Sequence, residues 1–291
     1  MGALTTEQLQ SEYDLTEVLQ SSSEQLEEYE TLSRLAVTRL THFLDLPYTA
    51  SLCNRQTLDI FLPNGIAFNA QKPAPVVIFI HGGYWRANSK DSRRFPALAM
   101  AERGIAWIPL NYRLAPDYTI PDIVDDVRRA VSWVYKNAKQ FGCNPERLFV
   151  CGNSAGGHLA ATLLMDGWQQ SFQLPGNVLK GGCALSGLFE LEPLLDGGPN
   201  EWLHMDRDTA HRYSPARDIS ADSPPLIITC GGKETSEFRR QSRDYAALCT
   251  QKHRPVTYFE LAEENHFSII GKLSDPQSRL FQALTDMISE L

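Results

Sequence analysis

The sequence lacks the features that point to a nucleic-acid or membrane partner. It has 27 Lys and Arg against 35 Asp and Glu, a formal net charge of −8, whereas binding a nucleic-acid backbone requires a basic surface. No Lys or Arg precedes Arg34, and no apolar stretch approaches the roughly 18 residues of a membrane span. We therefore expect no nucleic-acid partner, no membrane anchor and no signal peptide.

Cysteine is sparse, and the six cysteines show no spacing typical of a metal site or a disulfide framework. Two of them, Cys151 and Cys230, lie within apolar, strand-like runs. We expect reduced, mostly buried thiols in a cytoplasmic protein. No nucleotide-binding loop or metal-ligand cluster is visible either, so the sequence implies no cofactor and no metal.

The composition, 43% hydrophobic and 21% charged over 291 residues, is typical of one large α/β domain. Residues 1–46 predict a helical N-terminal extension packed on the main domain. Residues 47–291 alternate strand-like and helix-like segments, which predicts an α/β fold with a mostly parallel central sheet and helices on both faces. An irregular segment at about 172–223 predicts a small cap or loop insertion. The predicted strands are 58–62, 76–80, 105–110, 148–151, 183–185, 226–230 and 256–261.

The stretch Gly152-Asn-Ser-Ala-Gly156 matches the G-x-S-x-G pattern of a nucleophile elbow. An apolar strand-like run precedes it and a helix-like segment, 159–164, follows it. The two glycines allow the sharp turn that exposes a serine hydroxyl at the end of a strand. We interpret Ser154 as a nucleophile; the pattern alone also fits a structural Gly/Ser turn.

A serine nucleophile needs a base, and in this architecture the base follows the serine and the acid in sequence. His266 lies between the last predicted strand and the terminal helix, where a loop could carry an imidazole over the sheet edge. We therefore predict His266 as the base. Three histidines beyond the helix that follows Ser154 lie in helix-end or irregular segments and are expected to be structural or solvated; they are His204, His211 and His253.

The orienting acid is expected just after a strand that precedes the histidine. Glu234 lies in the tight turn that follows the strand 226–230, and we predict it as the acid. Glu237 and Asp244 come later, on a predicted helix, and stay open as alternatives.

The stretch His81-Gly-Gly-Tyr-Trp85 follows a buried strand and resembles an early loop that stabilises an oxyanion. We predict that the hole is formed by backbone N–H groups of Gly82, Gly83 and Ala155. The two aromatic side chains, Tyr84 and Trp85, are predicted to wall the substrate pocket, with ordinary packing as the alternative for either one. His81 and His158 are expected to be structural.

Four stretches together resemble the arylformamidase (kynurenine formamidase) branch of the α/β-hydrolase fold, near the hormone-sensitive-lipase-like esterases. The resemblance covers most of the chain from about Tyr48 and implies Ser154 as nucleophile and His266 as base. Members of this family usually have Asp where this chain has Glu234. The stretches are His81-Gly-Gly-Tyr-Trp85, Gly152-Asn-Ser-Ala-Gly-Gly-His158, Gly231-Gly-Lys-Glu-Thr-Ser-Glu-Phe-Arg-Arg-Gln-Ser242 and Asn265-His-Phe267.

This resemblance implies a serine hydrolase that removes a formyl or acetyl group from a small aryl amide or ester, such as N-formylkynurenine. A general short-chain carboxylesterase is the alternative activity. A non-catalytic ligand-binding member of the same fold is the alternative from another class. The sequence does not fix the oligomeric state, and a homodimer stays open.

Overall fold

A computed structural model describes residues 5–50, 53–65 and 72–291 of the chain. Within these ranges the strands are β1 Thr41–Pro47, β2 Thr57–Leu62, β3 Ala74–Ile80, β4 Ala106–Leu110, β5 Cys143–Asn153, β6 Leu179–Leu185, β7 Leu226–Gly231 and β8 Val256–Leu261. The helices are α1 Thr6–Tyr13, α2 Thr16–Ser21, α3 Ser23–Arg39, α4 Ala97–Glu102, α5 Ile120–Asn137, α6 Ala155–Leu163, α7 Asn200–Leu203, α8 Arg207–Arg212, α9 Ser236–Gln251 and α10 Arg279–Glu290. In the described part of the chain, every helix is too short or too polar to span a bilayer.

The strands form one sheet in the order β1-β2-β4-β3-β5-β6-β7-β8. β1 and β2 pair antiparallel, as do β2 and β4, and the remaining neighbours are parallel. Strands β2, β4 and β7 are buried along their whole length, because helices cover both faces of the sheet. The predicted α/β-hydrolase fold, with its mostly parallel sheet, is confirmed.

Two apolar clusters lie on opposite faces of the sheet. Val76, Ile78 and Ile80 of β3 belong to one cluster, and Val77 and Phe79 belong to the other. Successive strand side chains point to opposite faces, so a continuously apolar strand contributes to both clusters. Helices α5, α6 and α9 pack on the first face, and α3, α4 and α10 pack on the second.

The N-terminal segment is helical only as far as Arg39. Residues Thr41–Pro47 form the edge strand β1, so the prediction of helix up to residue 46 is wrong there. Pairing with β2 extends this stretch, and its side chains are half-buried or exposed. The register shifts between Phe43 and Leu46, where Asp45 has a φ of 54°. The edge therefore contains a bulge that carries an acidic residue.

The irregular segment predicted at about 172–223 is divided by a strand. β6 occupies Leu179–Leu185, and the chain between β6 and β7 carries only α7, α8 and short 3₁₀ turns. This connecting segment begins at the carboxyl end of β6. In open α/β folds, ligands bind at the edge of the sheet where the parallel strands have their carboxyl ends.

Candidate active site

Ser154 lies in a sharp turn between the central strand β5 and helix α6. Its φ of 56° and ψ of −124° are unfavourable for a residue with a side chain. The neighbouring glycines permit this turn, because a Cβ on Gly152 would lie 2.1 Å from the Gly156 oxygen and one on Gly156 would lie 2.0 Å from the Ile80 oxygen. The local sequence thus places a serine hydroxyl at the N-terminus of α6.

Glu234 and His266 are joined by a direct hydrogen bond. Nδ1 of His266 lies 2.7 Å from Oε2 of Glu234, and the two side chains are 3% and 0% exposed. Oε1 of the same carboxylate accepts hydrogen bonds from the Gly231 N–H at 2.6 Å and from the Ser186 hydroxyl at 2.5 Å. With Nδ1 donating to the carboxylate, Nε2 is left as an acceptor.

The two alternative acids on α9 bind other groups. Glu237 forms an ion pair with Arg240 at 2.7 Å and accepts a hydrogen bond from the Tyr13 hydroxyl at 3.0 Å. Asp244 pairs with Arg240 and Arg243. Among the described carboxylates, the one within hydrogen-bond distance of His266 is Glu234.

Ser154 and His266 line the same cavity, which has a volume of about 500 Å³. Cavities of this size typically hold small molecules. Ser154 is 3% exposed, and Nε2 of His266 has no hydrogen-bond partner among the described residues. The nitrogen that a base would use is therefore not occupied by another protein group. His204, His211 and His253 do not line this cavity.

Of the predicted oxyanion-hole residues, Ala155 follows Ser154 at the start of α6 and does not itself line the cavity. Gly83 lines the cavity with a φ of 114°, a conformation that favours glycine. Gly82 differs, because its N–H donates to Oδ1 of Asn153 at 3.3 Å and it does not line the cavity. The N–H of Gly82 therefore has a protein partner, and the place of this residue in the oxyanion hole stays a prediction. Its lack of a side chain serves packing, since a Cβ there would lie 2.8 Å from the Asn153 oxygen.

The two adjacent aromatic residues have different positions. Tyr84 lines the cavity, and its hydroxyl donates to the Tyr13 carbonyl at 2.7 Å. Trp85 is fully buried in the core, and its indole N–H donates to Nδ1 of His158 at 3.3 Å. The prediction that Trp85 walls the pocket is wrong, because consecutive side chains of this turn point in different directions.

His81 and His158 are buried and neutral. Burial lowers the pKa of His81 to about 3 and that of His158 to about 4. The His81 ring stacks on Tyr112 at 4.3 Å, and Nε2 of His158 donates to the Tyr213 carbonyl at 2.7 Å. Both rings brace the backbone around the cavity.

Much of the cavity wall comes from residues that the sequence did not identify. Helices α1 and α2 contribute one side, and Trp202 and Phe267 add aromatic surface elsewhere. Amphipathic spacing predicted that the N-terminal segment packs on the domain. It did not indicate which surface of the domain the segment covers. The N-terminal lining residues are Gln10, Tyr13, Asp14, Leu15, Thr16 and Leu19.

Glu12 anchors α1 to the start of α9. Its carboxylate accepts hydrogen bonds from the Glu237 N–H at 3.0 Å and the Ser236 hydroxyl at 2.9 Å. Thr235, the N-cap residue of α9, makes no side-chain cap of its own and donates to the Glu12 carbonyl instead. One segment thus caps the helix that follows Glu234 and also holds Tyr84.

The described residues include no group of three or more His, Cys, Asp or Glu side chains that could bind a metal ion. The arrangement around Ser154 has parts that acyl-transfer chemistry requires: a hydroxyl, an imidazole held by a carboxylate, and the backbone of Gly83 in the cavity wall.

Known proteins resemble this chain in sequence and in fold. The family model BD-FAE matches residues 58–180. Kynurenine formamidase from Danio rerio is 32% identical over 252 residues, which cover 85% of this chain and 82% of the relative. Esterase LipQ from Mycobacterium tuberculosis is 28% identical over 239 residues, 76% of this chain and 56% of the relative. A solved structure from Silicibacter sp. TM1040, described as a candidate thioesterase, has a TM-score of 0.79 at 26% identity and covers 97% of this chain and 98% of its own.

Proposed function

Because the chain belongs to the kynurenine formamidase family of α/β-hydrolases, and is a hydrolase with arylformamidase or esterase activity, we propose that it hydrolyses aryl formamides such as N-formylkynurenine. In this proposal Ser154 is the nucleophile, His266 the base and Glu234 the acid. Gly83 and Ala155 form the oxyanion hole.

One observation carries the proposal: the hydrogen-bonded pair of Glu234 and His266 shares a cavity with Ser154. In the acylation step, Nε2 of His266 takes the proton of the Ser154 hydroxyl as its oxygen attacks the formyl carbon. The negative charge that develops on the carbonyl oxygen is stabilised by the N–H groups of Gly83 and Ala155. His266 then gives its proton to the departing aryl amine.

The second half of the reaction removes the formyl group from Ser154. Water attacks the formyl ester while His266 takes a proton from it, and formate leaves as the Ser154 hydroxyl recovers that proton. Glu234 keeps Nδ1 protonated throughout, so that Nε2 is the nitrogen that exchanges protons.

The surroundings of Ser154 favour an aromatic leaving group and a short acyl group. Tyr84, Trp202 and Phe267 present rings to the cavity, and contact between rings adds about 0.5–1.5 kcal/mol beyond area burial. We propose that the acyl side of Ser154 is closely packed, so that each added methylene displaces packed groups. Overpacking costs about 1–3 kcal/mol, which corresponds to roughly ten- to hundredfold in rate.

A kinetic comparison tests the proposal. The wild-type protein should hydrolyse N-formylkynurenine and formanilide, and kcat/KM on p-nitrophenyl esters should fall by roughly ten- to hundredfold between acetyl and hexanoyl groups. Ser154→Ala and His266→Ala should each remove nearly all turnover, and the double variant should lose no more than the singles.

Two results would contradict it. Preference for octanoyl esters with no activity on formyl anilides would identify a general esterase instead. Failure of Ser154 to react with a fluorophosphonate probe would indicate a non-catalytic ligand-binding protein.

A further inference from the structure

A buried arginine lies in the wall of the cavity that contains Ser154 and His266. Arg93 ends the 3₁₀ turn Lys90–Arg93, which follows the loop carrying Gly83, and it is 4% exposed. Arginine is almost never buried to this degree unless it is paired. Its partners therefore decide whether it has a structural or a binding role.

Arg93 has no carboxylate partner within 4 Å among the described residues. Nη1 donates to the carbonyl and the hydroxyl of Ser92 at 3.0 and 3.1 Å, and Nε is buried without a partner in the part of the chain that the structure describes. Glu30 is close enough to act on it electrostatically, but this side chain is 60% exposed and lies 4.0 Å from Arg34. The guanidinium is thus buried without a counter-ion of its own.

The neighbouring cations in the same turn are paired. Nζ of Lys90 lies 2.7 Å from Asp45 and 2.9 Å from Asp59, and Nε of Arg94 lies 2.7 Å from Asp59. Arg93 is the member of this group that faces the cavity instead. Within this group of three cations, the one without a carboxylate partner is therefore the one that lines the cavity.

Burial of an unpaired charge is costly unless an anion joins it. Burial lowers the pKa of Arg93 to about 10, so the guanidinium still carries its proton at neutral pH. An anionic group in the cavity would supply the missing partner, and hydrogen bonds to a charged group are stronger than those between neutral groups.

We propose that Arg93 binds a carboxylate of the substrate, so that the preferred aryl formamides carry a carboxylate, as N-formylkynurenine does. The proposal rests on the proposed hydrolysis of aryl formamides at Ser154. Arg86 is the other arginine of the cavity wall, and it is exposed, with its guanidinium 3.6 Å from the centre of the Trp202 ring. A solvated cation of this kind adds little to binding.

The test compares N-formylkynurenine with N-formylkynurenamine, which is the same aryl formamide and amine without the carboxylate. The wild-type protein should favour the carboxylate by about ten- to hundredfold in kcat/KM, mainly through KM. Arg93→Gln should bring this ratio close to one while changing the rate on N-formylkynurenamine by a few-fold at most. Arg86→Gln is the matched control and should retain the ratio.

Three results would overturn the proposal: a ratio near one in the wild-type protein, an equal loss on both substrates in a folded Arg93→Gln variant, or loss of the ratio in Arg86→Gln alone. If circular dichroism shows that Arg93→Gln does not fold, Arg93→Lys replaces it. This variant keeps the charge and should keep part of the preference for the carboxylate substrate. Complete loss of that preference in folded Arg93→Lys would also count against the proposal.

A binding measurement separates this proposal from the proposed function. Calorimetry with the amine products, kynurenine and kynurenamine, should show the same preference for the carboxylate in the wild-type protein and its loss in Arg93→Gln. If neither formamide is hydrolysed but this difference in binding appears, the proposed reaction is wrong and the carboxylate site stands. Equal affinities of the wild-type protein for kynurenine and kynurenamine would contradict the carboxylate site, whichever reaction the protein catalyses.

Discussion

Glu234 reaches His266 because its side chain folds back over the turn that follows β7. Oε1 binds the N–H of Gly231, three residues earlier, while Oε2 faces the imidazole. This backward fold is how the glutamate side chain reaches the imidazole from the turn. Ser186, with a φ of 50°, supplies a third hydrogen bond to the carboxylate.

The first prediction separates Glu234 from Glu237. Glu234→Gln should lower kcat by several orders of magnitude, because an amide in that place favours the wrong tautomer of His266. Glu237→Gln should change kcat little, since Glu237 bonds to Tyr13 and Arg240 instead. Steady-state kinetics on an aryl formamide, with circular dichroism to verify folding, measure both. A silent Glu234→Gln beside a disabling Glu237→Gln would reverse the assignment.

The residues of the candidate site differ in how readily the sequence reveals them. Ser154 and His266 occupy recognisable places, one in a strand–turn–helix motif and one between the last strand and the last helix. Ser186 could not be found, because its contact with Glu234 spans 48 positions and its only signal is a serine after a strand. The direction of the Trp85 ring depends on a backbone turn that residue types alone do not define.

Helix α1 connects two parts of the site that are far apart in sequence. Glu12 caps α9, directly after the turn that holds Glu234, and the carbonyl of Tyr13 accepts the hydroxyl of Tyr84. Burial raises the pKa of Tyr13, whose hydroxyl donates to Glu237, so this residue stays neutral at ordinary pH. Helix α1 therefore connects the cavity wall at Tyr84 with the start of α9.

The second prediction follows from this contact. Glu12→Ala should reduce the free energy of unfolding by about 1 kcal/mol, because loss of an N-terminal cap typically costs 0.5–2 kcal/mol. It should also raise KM, since Tyr13 and Tyr84 lose their anchor. Urea unfolding and steady-state kinetics measure the two effects. Glu28→Ala, on the exposed face of α3, is the control and should change neither. Equal effects of both substitutions would contradict the capping role.

At the scale of the whole molecule, the apolar runs predicted the strands β2 to β7, because strands covered on both faces are continuously apolar. The last strand, β8, was predicted as well, although it lies at the other edge of the sheet and is largely half-buried. β1 escaped prediction, since it follows directly on helix α3 and has no continuous apolar run. The position of α1 and α2 over the cavity was not predicted either. Amphipathic spacing defines the buried face of a helix but does not identify the surface that covers this face.

The third prediction concerns cooperativity. Tyr13 lies in the apolar cluster on one face of the sheet and Tyr29 in the cluster on the other, so the N-terminal helices and the sheet should unfold together. Tyr29→Ala, which removes a ring stacked on Phe95 at 4.5 Å, should lower the stability of a single transition by about 3 kcal/mol. Leu19→Ala, at a 47% exposed position, should change it little.

Coincident urea transitions by circular dichroism and by tryptophan fluorescence would support this expectation. A separate early transition in either the Tyr29→Ala or the Leu19→Ala variant would show that the N-terminal helices are an independent unit.

The bulge in β1 also bears on self-association. An edge strand offers unpaired N–H and C=O groups on which a second chain can add a strand, and bulges and charged residues are common obstacles to such pairing. Here Asp45 stands at the bulge with its backbone N–H bonded to Asp59 and its carboxylate paired with Lys90, and Pro47 ends the strand. This edge is therefore a poor template for aggregation, and growth of the sheet into a larger assembly is disfavoured on the β1 side.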